Sequence, residues 1–308
     1  MVKYMNNNSG FQQWNAAKDA AQKKSPWMGF LWWVILFVAA WWMMSWWMGP
    51  KPTQTDAENA VAVEALDLSA VPVNEISSDN LTADVQGLRI SNVELLKYAS
   101  NASDDNSAPV TLLGTEGAFA EIGLLSTGTT APTATTVWKN SDGVSTWRNS
   151  DGVSFSRTIT INDYVISVTD TVKNASKEEI SVAPYARIVR ANDMKSSAGV
   201  YTGSVAFVNS DLEHEDWPRI AKKSFAYSTT NGFIGFVDQY WETVLSINSP
   251  DQTMRVKALG DMYQADAAAN VVVVAPGAEQ TITTNLYVGP RDRNTLMNAD
   301  SFISGIDQ

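Results

Sequence analysis

The chain has 308 residues, 44% of them hydrophobic and 18% charged, with no cysteine and a formal net charge of −11. Without cysteine there is no thiol nucleophile, no thiolate-held zinc and no iron–sulfur cluster. The acidic balance excludes a nucleic-acid surface, which needs the opposite sign to meet phosphate.

Residues 1–26 form a polar tail, expected in the cytoplasm, with Lys3, Lys18, Lys23 and Lys24 against the single acid Asp19. Phe11 and Trp14 stand three apart in it, which suits either a short interfacial helix or a loosely ordered tail. The next 22 residues, Trp27 to Met48, read WMGFLWWVILFVAAWWMMSWWM and contain no charge and no proline. A helix of that length rises about 33 Å, enough to span a hydrocarbon core of about 30 Å. Residues 27–48 are therefore the expected transmembrane helix and the expected contact with the lipid bilayer. Lysines precede the run, and Asp56, Glu58, Glu64 and Asp67 follow it. That bias predicts a cytoplasmic N-terminus and a C-terminal part on the outer side. A cleavable signal peptide is the competing expectation, but its apolar region is about 7–15 residues and ends in small residues. Here Ala39-Ala40 is followed by Trp41-Trp42-Met43-Met44.

Gly49-Pro50-Lys51-Pro52 stops the helix, because proline offers no N–H. Residues 49–75 read as a linker and residues 76–308 as one external domain. With four lysines and one aspartate lying before the apolar run, the remainder of the 22 basic and 33 acidic residues leaves that outer part at −14. From Leu81 onward short β-type runs alternate apolar and polar residues, as half-buried antiparallel strands do. Examples are VTLL at 110, FSRTITI at 155, YVISVTDTV at 164, ISVAPYARIV at 180, VYTGSVAFV at 200, FIGF at 233, ETVLSI at 242 and NVVVVAP at 270. About fifteen such segments predict one large sandwich rather than several small domains. A short helix is expected around Asn294 to Ile303.

A tandem repeat interrupts this texture. Trp138 to Thr146 reads WKNSDGVST and Trp147 to Phe155 reads WRNSDGVSF. Each copy places Asp-Gly (Asp142-Gly143, Asp151-Gly152) where a tight hairpin turn is expected, since glycine tolerates positive φ. The alternative, a calcium loop, lacks the glycine-rich nine-residue signature.

Chemistry is hard to place. The single histidine, His214, lies in Glu213-His214-Glu215-Asp216 and reads as part of an exposed acidic loop. Zinc sites generally need more than one such ligand, and Ser-His-Asp catalysis would have to use this residue without a G-x-S-x-G elbow. There is no P-loop and no G-x-G-x-x-G. Nothing selects a carboxylate pair for glycoside chemistry. No catalytic residue, metal or cofactor is expected.

Four stretches, in order, resemble the YidC family of bacterial inner-membrane protein insertases, matching its first transmembrane helix and large periplasmic domain. Thr82 to Tyr98 (TADVQGLRISNVELLKY) looks like that domain's opening strand pair, although Gly87 is followed by Leu88 where the family usually has a second glycine. Val153 to Asn174 (VSFSRTITINDYVISVTDTVKN) is similar to its paired central strands. Asn231 to Trp241 (NGFIGFVDQYW) is the most specific, with Gly232, Phe233, Gly235, Asp238, Tyr240 and Trp241 matching. Ala275 to Pro290 (APGAEQTITTNLYVGP) matches a Pro276-Gly277 turn and a strand ending Tyr287-x-Gly289-Pro290. From the residues themselves, Gly232 and Gly277 are expected to serve turns, and Phe233, Tyr240 and Trp241 to offer buried area or an exposed aromatic surface.

The resemblance implies a mainly β chain: a large antiparallel β-supersandwich of the galactose-mutarotase-like kind, behind one N-terminal transmembrane helix. It implies a periplasmic interaction role in a membrane insertase or chaperone system at the bacterial inner membrane. The implied partners are protein translocation components and nascent membrane proteins. Family members continue into five further transmembrane helices that carry the groove for the client segment, and no residue of this sequence matches that groove. Whether the sequence is a fragment of a longer insertase or a stand-alone domain stays open at this point. The alternative function is a membrane-anchored carbohydrate- or peptide-binding module, or, further off, a mutarotase-like enzyme.

Overall fold

Period-two burial organises the polypeptide. In Leu81–Gln86, for example, Leu81, Ala83 and Val85 point into the core while Thr82, Asp84 and Gln86 do not. The computed structural model describes residues 66–104, 106–191 and 200–308. The expected membrane-spanning run, the tail before it and most of the linker lie outside the described residues. Among the described residues no helix is long and apolar enough to cross a membrane.

The strands follow in chain order as β1 (Val73–Ser77), β2 (Leu81–Gln86), β3 (Arg89–Ala99), β4 (Pro109–Leu112) and β5 (Phe119–Thr127). Next come β6 (Lys139–Ser141), β7 (Val144–Arg148), β8 (Val153–Asn162), β9 (Val165–Asn174), β10 (Ile180–Ala191), β11 (Gly203–Val208) and β12 (Asp211–Asp216). A single helical turn, α1 (Trp217–Ile220), precedes β13 (Phe225–Thr229), β14 (Gly232–Val237), β15 (Trp241–Ile247), β16 (Gln252–Leu259) and β17 (Met262–Ala269). The chain closes with β18 (Val272–Val274), β19 (Glu279–Pro290) and the helix α2 (Arg293–Ala299). The first strand begins at Val73, inside the stretch expected to be linker.

These strands build two antiparallel sheets. One has ten strands in the order β1-β2-β3-β5-β10-β17-β16-β13, with β4 on β3 and β18 on β10. The other has nine, ordered β12-β11-β14-β15-β19-β9-β8-β7-β6. Ile122, Ile188 and Val256 of the first sheet share one core with Phe155, Ile166 and Leu286 of the second. This is the expected mainly β, antiparallel two-sheet sandwich.

Two buried charge systems sit in it. Arg157 on β8 grips Asp170 on β9 with two bonds, Nε–Oδ1 at 2.7 Å and Nη2–Oδ2 at 2.8 Å. Its Nη2 also donates to the Ile122 carbonyl of the opposite sheet at 2.8 Å. On the ten-stranded sheet, Arg89, Glu121, Arg187, Asp266 and Arg255 stand directly opposite one another across β3, β5, β10, β17 and β16. Ala186 and Ile188 point into the core, so Arg187 between them lies on the other face. Glu121 receives Arg89 at 3.0 Å and Arg187 at 2.9 Å, and Arg255 meets Asp266 at 3.3 Å.

The tandem repeat makes two different turns. In the first copy Asp142 (φ 50°) and Gly143 (φ 78°) form a two-residue loop between β6 and β7, the geometry that Asp-Gly favours. In the second copy the loop between β7 and β8 has four residues, Asn149 to Gly152. The difference is tertiary. Asn149 donates to Thr129 Oγ1 at 2.6 Å and to the Thr130 carbonyl at 2.9 Å, and its Oδ1 accepts the Asp151 and Val153 amides. Those bonds fix the Asn149 side chain inside the loop, while its own amide donates to the Val153 carbonyl at 3.1 Å and closes the four-residue turn. The turn expected to be tight is therefore wider.

Another expectation is corrected on the flank. His214 lies in strand β12, paired with β11 opposite Val205, and not in a loop. Its Glu-rich sequence hid the strand because β12 is an edge, where outward charges are tolerated. The helical turn α1 was also absent from the sequence reading. Asp216 caps it by accepting the Arg219 amide at 2.9 Å, and Trp217 packs on Phe236 and Tyr263 at 5.5 and 4.7 Å.

Candidate functional site

Two of the four family-like stretches meet at one end of the nine-stranded sheet. β15 pairs with β19 so that Trp241 stands opposite Pro290, Glu242 opposite Gly289 and Val244 opposite Tyr287. β14 pairs with β15 through Gly235 opposite Val244. The stretch from Gly232 to Trp241 and the stretch from Tyr287 to Pro290 thus form one continuous surface and its support.

The glycines explain how closely these strands approach. A Cβ on Gly235 would lie 2.0 Å from the Thr243 carbonyl oxygen, and one on Gly232 would lie 2.0 Å from that of Phe207. Gly232 opens β14 directly after the bend at Thr230-Asn231, where it permits close backbone approach. Gly289 leaves room for Tyr164, whose Cβ would be 2.7 Å from an added Cβ. Gly277 does serve a turn. It has φ 79°, and the Ala278 amide donates to the Ala275 carbonyl at 3.0 Å, so Pro276-Gly277 occupies the middle of a type II arrangement. That turn lies at the opposite end of β19. Gly87, with φ 63°, lies in the β2–β3 hairpin of the other sheet, where an added Cβ would fall 2.1 Å from the Ala134 carbonyl oxygen. Neither joins the site.

These two kinds of glycine predict different penalties. Gly235→Ala drives a methyl into a backbone carbonyl and is expected to cost about 3 kcal/mol. Gly277→Ala meets nothing within 4 Å and should cost only the left-handed penalty of about 1–2 kcal/mol. Pulse proteolysis of the full chain in urea and mild detergent measures both, and equal losses would contradict the assignment.

At the β14–β15 turn the Asp238 amide donates to the Trp241 carbonyl at 2.8 Å. The Asp238 carboxylate accepts from Arg190 Nη2 at 3.1 Å. Phe233 is buried, but Tyr240 is 62% exposed, which corrects the expectation of buried area for it. The Tyr240 carbonyl accepts the Arg291 amide at 2.7 Å, tying the turn to the exit of β19. Trp241 packs its ring against the edge of Tyr98 at 5.2 Å. Tyr287 is buried, and its hydroxyl donates to the Pro290 carbonyl at 2.6 Å.

Beside the turn is a cleft of about 330 Å³. Its lining includes Leu112, Leu113 and Ile188, the hydroxyls of Thr111 and Thr243, and the Arg190–Asp238 pair. The Arg190 guanidinium also lies 5.8 and 5.9 Å from the Trp217 and Phe236 rings. Sequence reasoning found Asp238 but missed Arg190 and Glu242. Glu242 is an acid within the apolar run WETVLSI, and that misplacement was the available signal. Burial pushes its carboxyl up to about 7, against an opposing pull from Arg291.

Nothing in this arrangement lines up a nucleophile with a base. Among the described residues no cluster of His, Asp or Glu could hold a metal ion. The His214 ring packs perpendicular to that of Tyr201, with centroids 4.8 Å apart. The site is a neutral ion pair, an apolar-lined cleft and an exposed tyrosine on a rigid strand end. Fold and site together define an antiparallel β-sandwich domain with a cleft beside one strand end.

The family described as the YidC periplasmic domain matches residues 74–307, and this chain belongs to it. Relatives extend the likeness. The protein named membrane protein insertase YidC from Allorhizobium ampelinum is 28% identical over 277 residues, covering 79% of this chain and 44% of its own length. Its counterpart from Roseobacter denitrificans is 29% identical over 306 residues, covering 84% and 50%. The chain thus spans about half the length of the curated relatives it matches. Among solved structures, the galactose mutarotase related enzyme from Lactobacillus acidophilus aligns with a TM-score of 0.49 at 8% identity, over 70% of this chain and 97% of that one.

Proposed function

We propose that this chain supplies the periplasmic interaction arm of a membrane protein insertase, docking translocation components and nascent membrane proteins. The observation that carries the reading is the family match over residues 74–307, set behind the apolar run at residues 27–48. On this reading the run is a single membrane anchor at the inner membrane, the N-terminus is cytoplasmic and the sandwich is periplasmic. Tyr240 and the neighbouring cleft are the contact surface, and the arm performs no catalysis.

A complementation experiment tests the division of labour. In cells depleted of their own insertase, residues 1–308 alone should fail to restore insertion of a reporter. A chimera carrying residues 1–308 in place of the matching half of the Roseobacter denitrificans relative should restore it. Rescue by residues 1–308 alone, or a stably made chimera without activity, overturns the proposal. Protease added to the periplasmic side of the membrane should degrade the sandwich, and protection would refute the topology.

The cleft favours a second reading, a carbohydrate- or peptide-binding module. Calorimetric titration with oligosaccharides and with apolar peptides separates it from the first. Saturable binding lost in Arg190→Ala would support it. Mutarotase turnover that vanishes in His214→Ala would instead support an enzyme.

A further inference from the structure

Glu242 is a carboxylic acid in a place built for none. It is 4% exposed. Its position in the sheet shows what covers it. Asn285, Tyr287 and Gly289 alternate onto one face of β19, and Glu242 stands directly opposite Gly289 on that same face. Asn285 donates to the Phe302 carbonyl at 2.7 Å, so this is the face beneath α2 and residues 300–308. Leu296, Ile303 and Ile306 of that C-terminal segment join the core, and Gly305 packs on the Phe207 ring.

The charges around the acid are few. Arg291, which leads from β19 into α2, is the one cation that acts on it. The other titratable groups near this corner are Tyr287 of β19, Asp292 at the start of α2, Asp163 of the β8–β9 turn and Tyr98 of β3. In the segment above, Asp300 is turned inward to accept the Gly305 amide at 2.7 Å. Burial therefore disfavours the Glu242 carboxylate, and Arg291 opposes it only in part.

We propose that Glu242 is a proton-operated latch for the C-terminal segment. Protonated, it lies almost wholly buried on the face beneath the C-terminal segment, and the segment stays closed over β15 and β19. Ionised, it needs water, and the segment loosens to admit it. The inference concerns this domain's own fold and does not depend on its partners.

The direction follows from linkage. Burial raises the carboxyl from its ordinary 4.5 to about 7 in the closed form. The closed form therefore holds the proton more tightly than the open form does. Closure is strongest below about pH 4.5, weakens as pH rises toward 7, and then stays at its weakest.

Hydrogen exchange of the full chain in detergent, read by mass spectrometry and corrected for intrinsic rates, tests this. Protection of residues 291–308 should fall tenfold or more between pH 5 and pH 8, while β8 and β9 keep theirs. Glu242→Gln should hold high protection at both values. The single histidine, His214, lies on strand β12 away from this face, so His214→Asn serves as the control and should leave the drop intact. Protection that is flat with pH in the natural chain overturns the latch outright. So does a drop that persists in Glu242→Gln. If that variant does not fold, Arg291→Gln decides: removing the one cation should move the midpoint to higher pH, and an unmoved midpoint overturns the proposal.

Discussion

Asp170→Ala is expected to lower the stability of the domain by about 3–5 kcal/mol, because it leaves Arg157 as an uncompensated buried charge. The side chains of the pair are 4% and 9% exposed, so water cannot take the place of the lost carboxylate. Arg157 also bridges the sheets through the Ile122 carbonyl and lies 5.5 Å from the Trp138 ring. Losing its anchor on β9 therefore disturbs both sheets and the repeat region together. Asp170→Asn keeps the shape and one acceptor, and should cost less. Urea pulse proteolysis of the full chain measures the two midpoints. A loss below about 1 kcal/mol in Asp170→Ala would place the pair among exposed bridges in energetic terms.

Glu121→Ala is the second large effect, again about 3–5 kcal/mol, since one carboxylate there holds two largely buried guanidinium groups. Tyr185 donates to the same carboxylate at 3.1 Å. Burial alone pushes the Glu121 carboxyl up, but Arg187 and Arg89 outweigh it and hold it below the usual range. The sign is opposite to that at Glu242. Stability from Glu121 is fully present above the unfolded value of 4.5 and is lost as pH falls through the lower folded value. Unfolding midpoints from pH 6 down to pH 3 should fall steeply in the natural chain and less steeply in Glu121→Gln. Parallel curves would show that the acid limb belongs to other carboxylates.

Much of the sandwich was visible in the sequence because long strands with strict alternation leave little choice. FSRTITIN and YVISVTDTVKN become β8 and β9 joined at Asn162-Asp163-Tyr164-Val165, with Phe155 and Val172 inside. The strands that escaped have weaker patterns. β17 buries Ala265 and Ala267, whose small side chains give almost no hydrophobic contrast, yet it pairs with β10 near the middle of its sheet. β12 escaped because an edge strand can be written in charges. The membrane span lies outside the described residues. At the candidate site, Asp238 and Trp241 were legible through the resemblance of Asn231 to Trp241 to the family's glycine–aromatic segment. Their partners were not. Arg190 lies 48 positions from Asp238, and only the sheet topology brings them together.

The nine-residue repeat carries one further consequence. Each copy supplies the tail of one strand, an Asp-Gly reversal and the head of the next, and the copies lie at the free edge where β6 and β7 end their sheet. A copy is thus a unit of sheet width, adding one strand of about 4.8 Å, and only Val153 and Phe155 at the end of the second copy are fully buried in the core. Sequences that lost or gained a copy would narrow or widen the sandwich at this margin by whole strands. The breadth of this rim can drift in steps of nine residues while the opposite end, with its close-packed glycines, holds still.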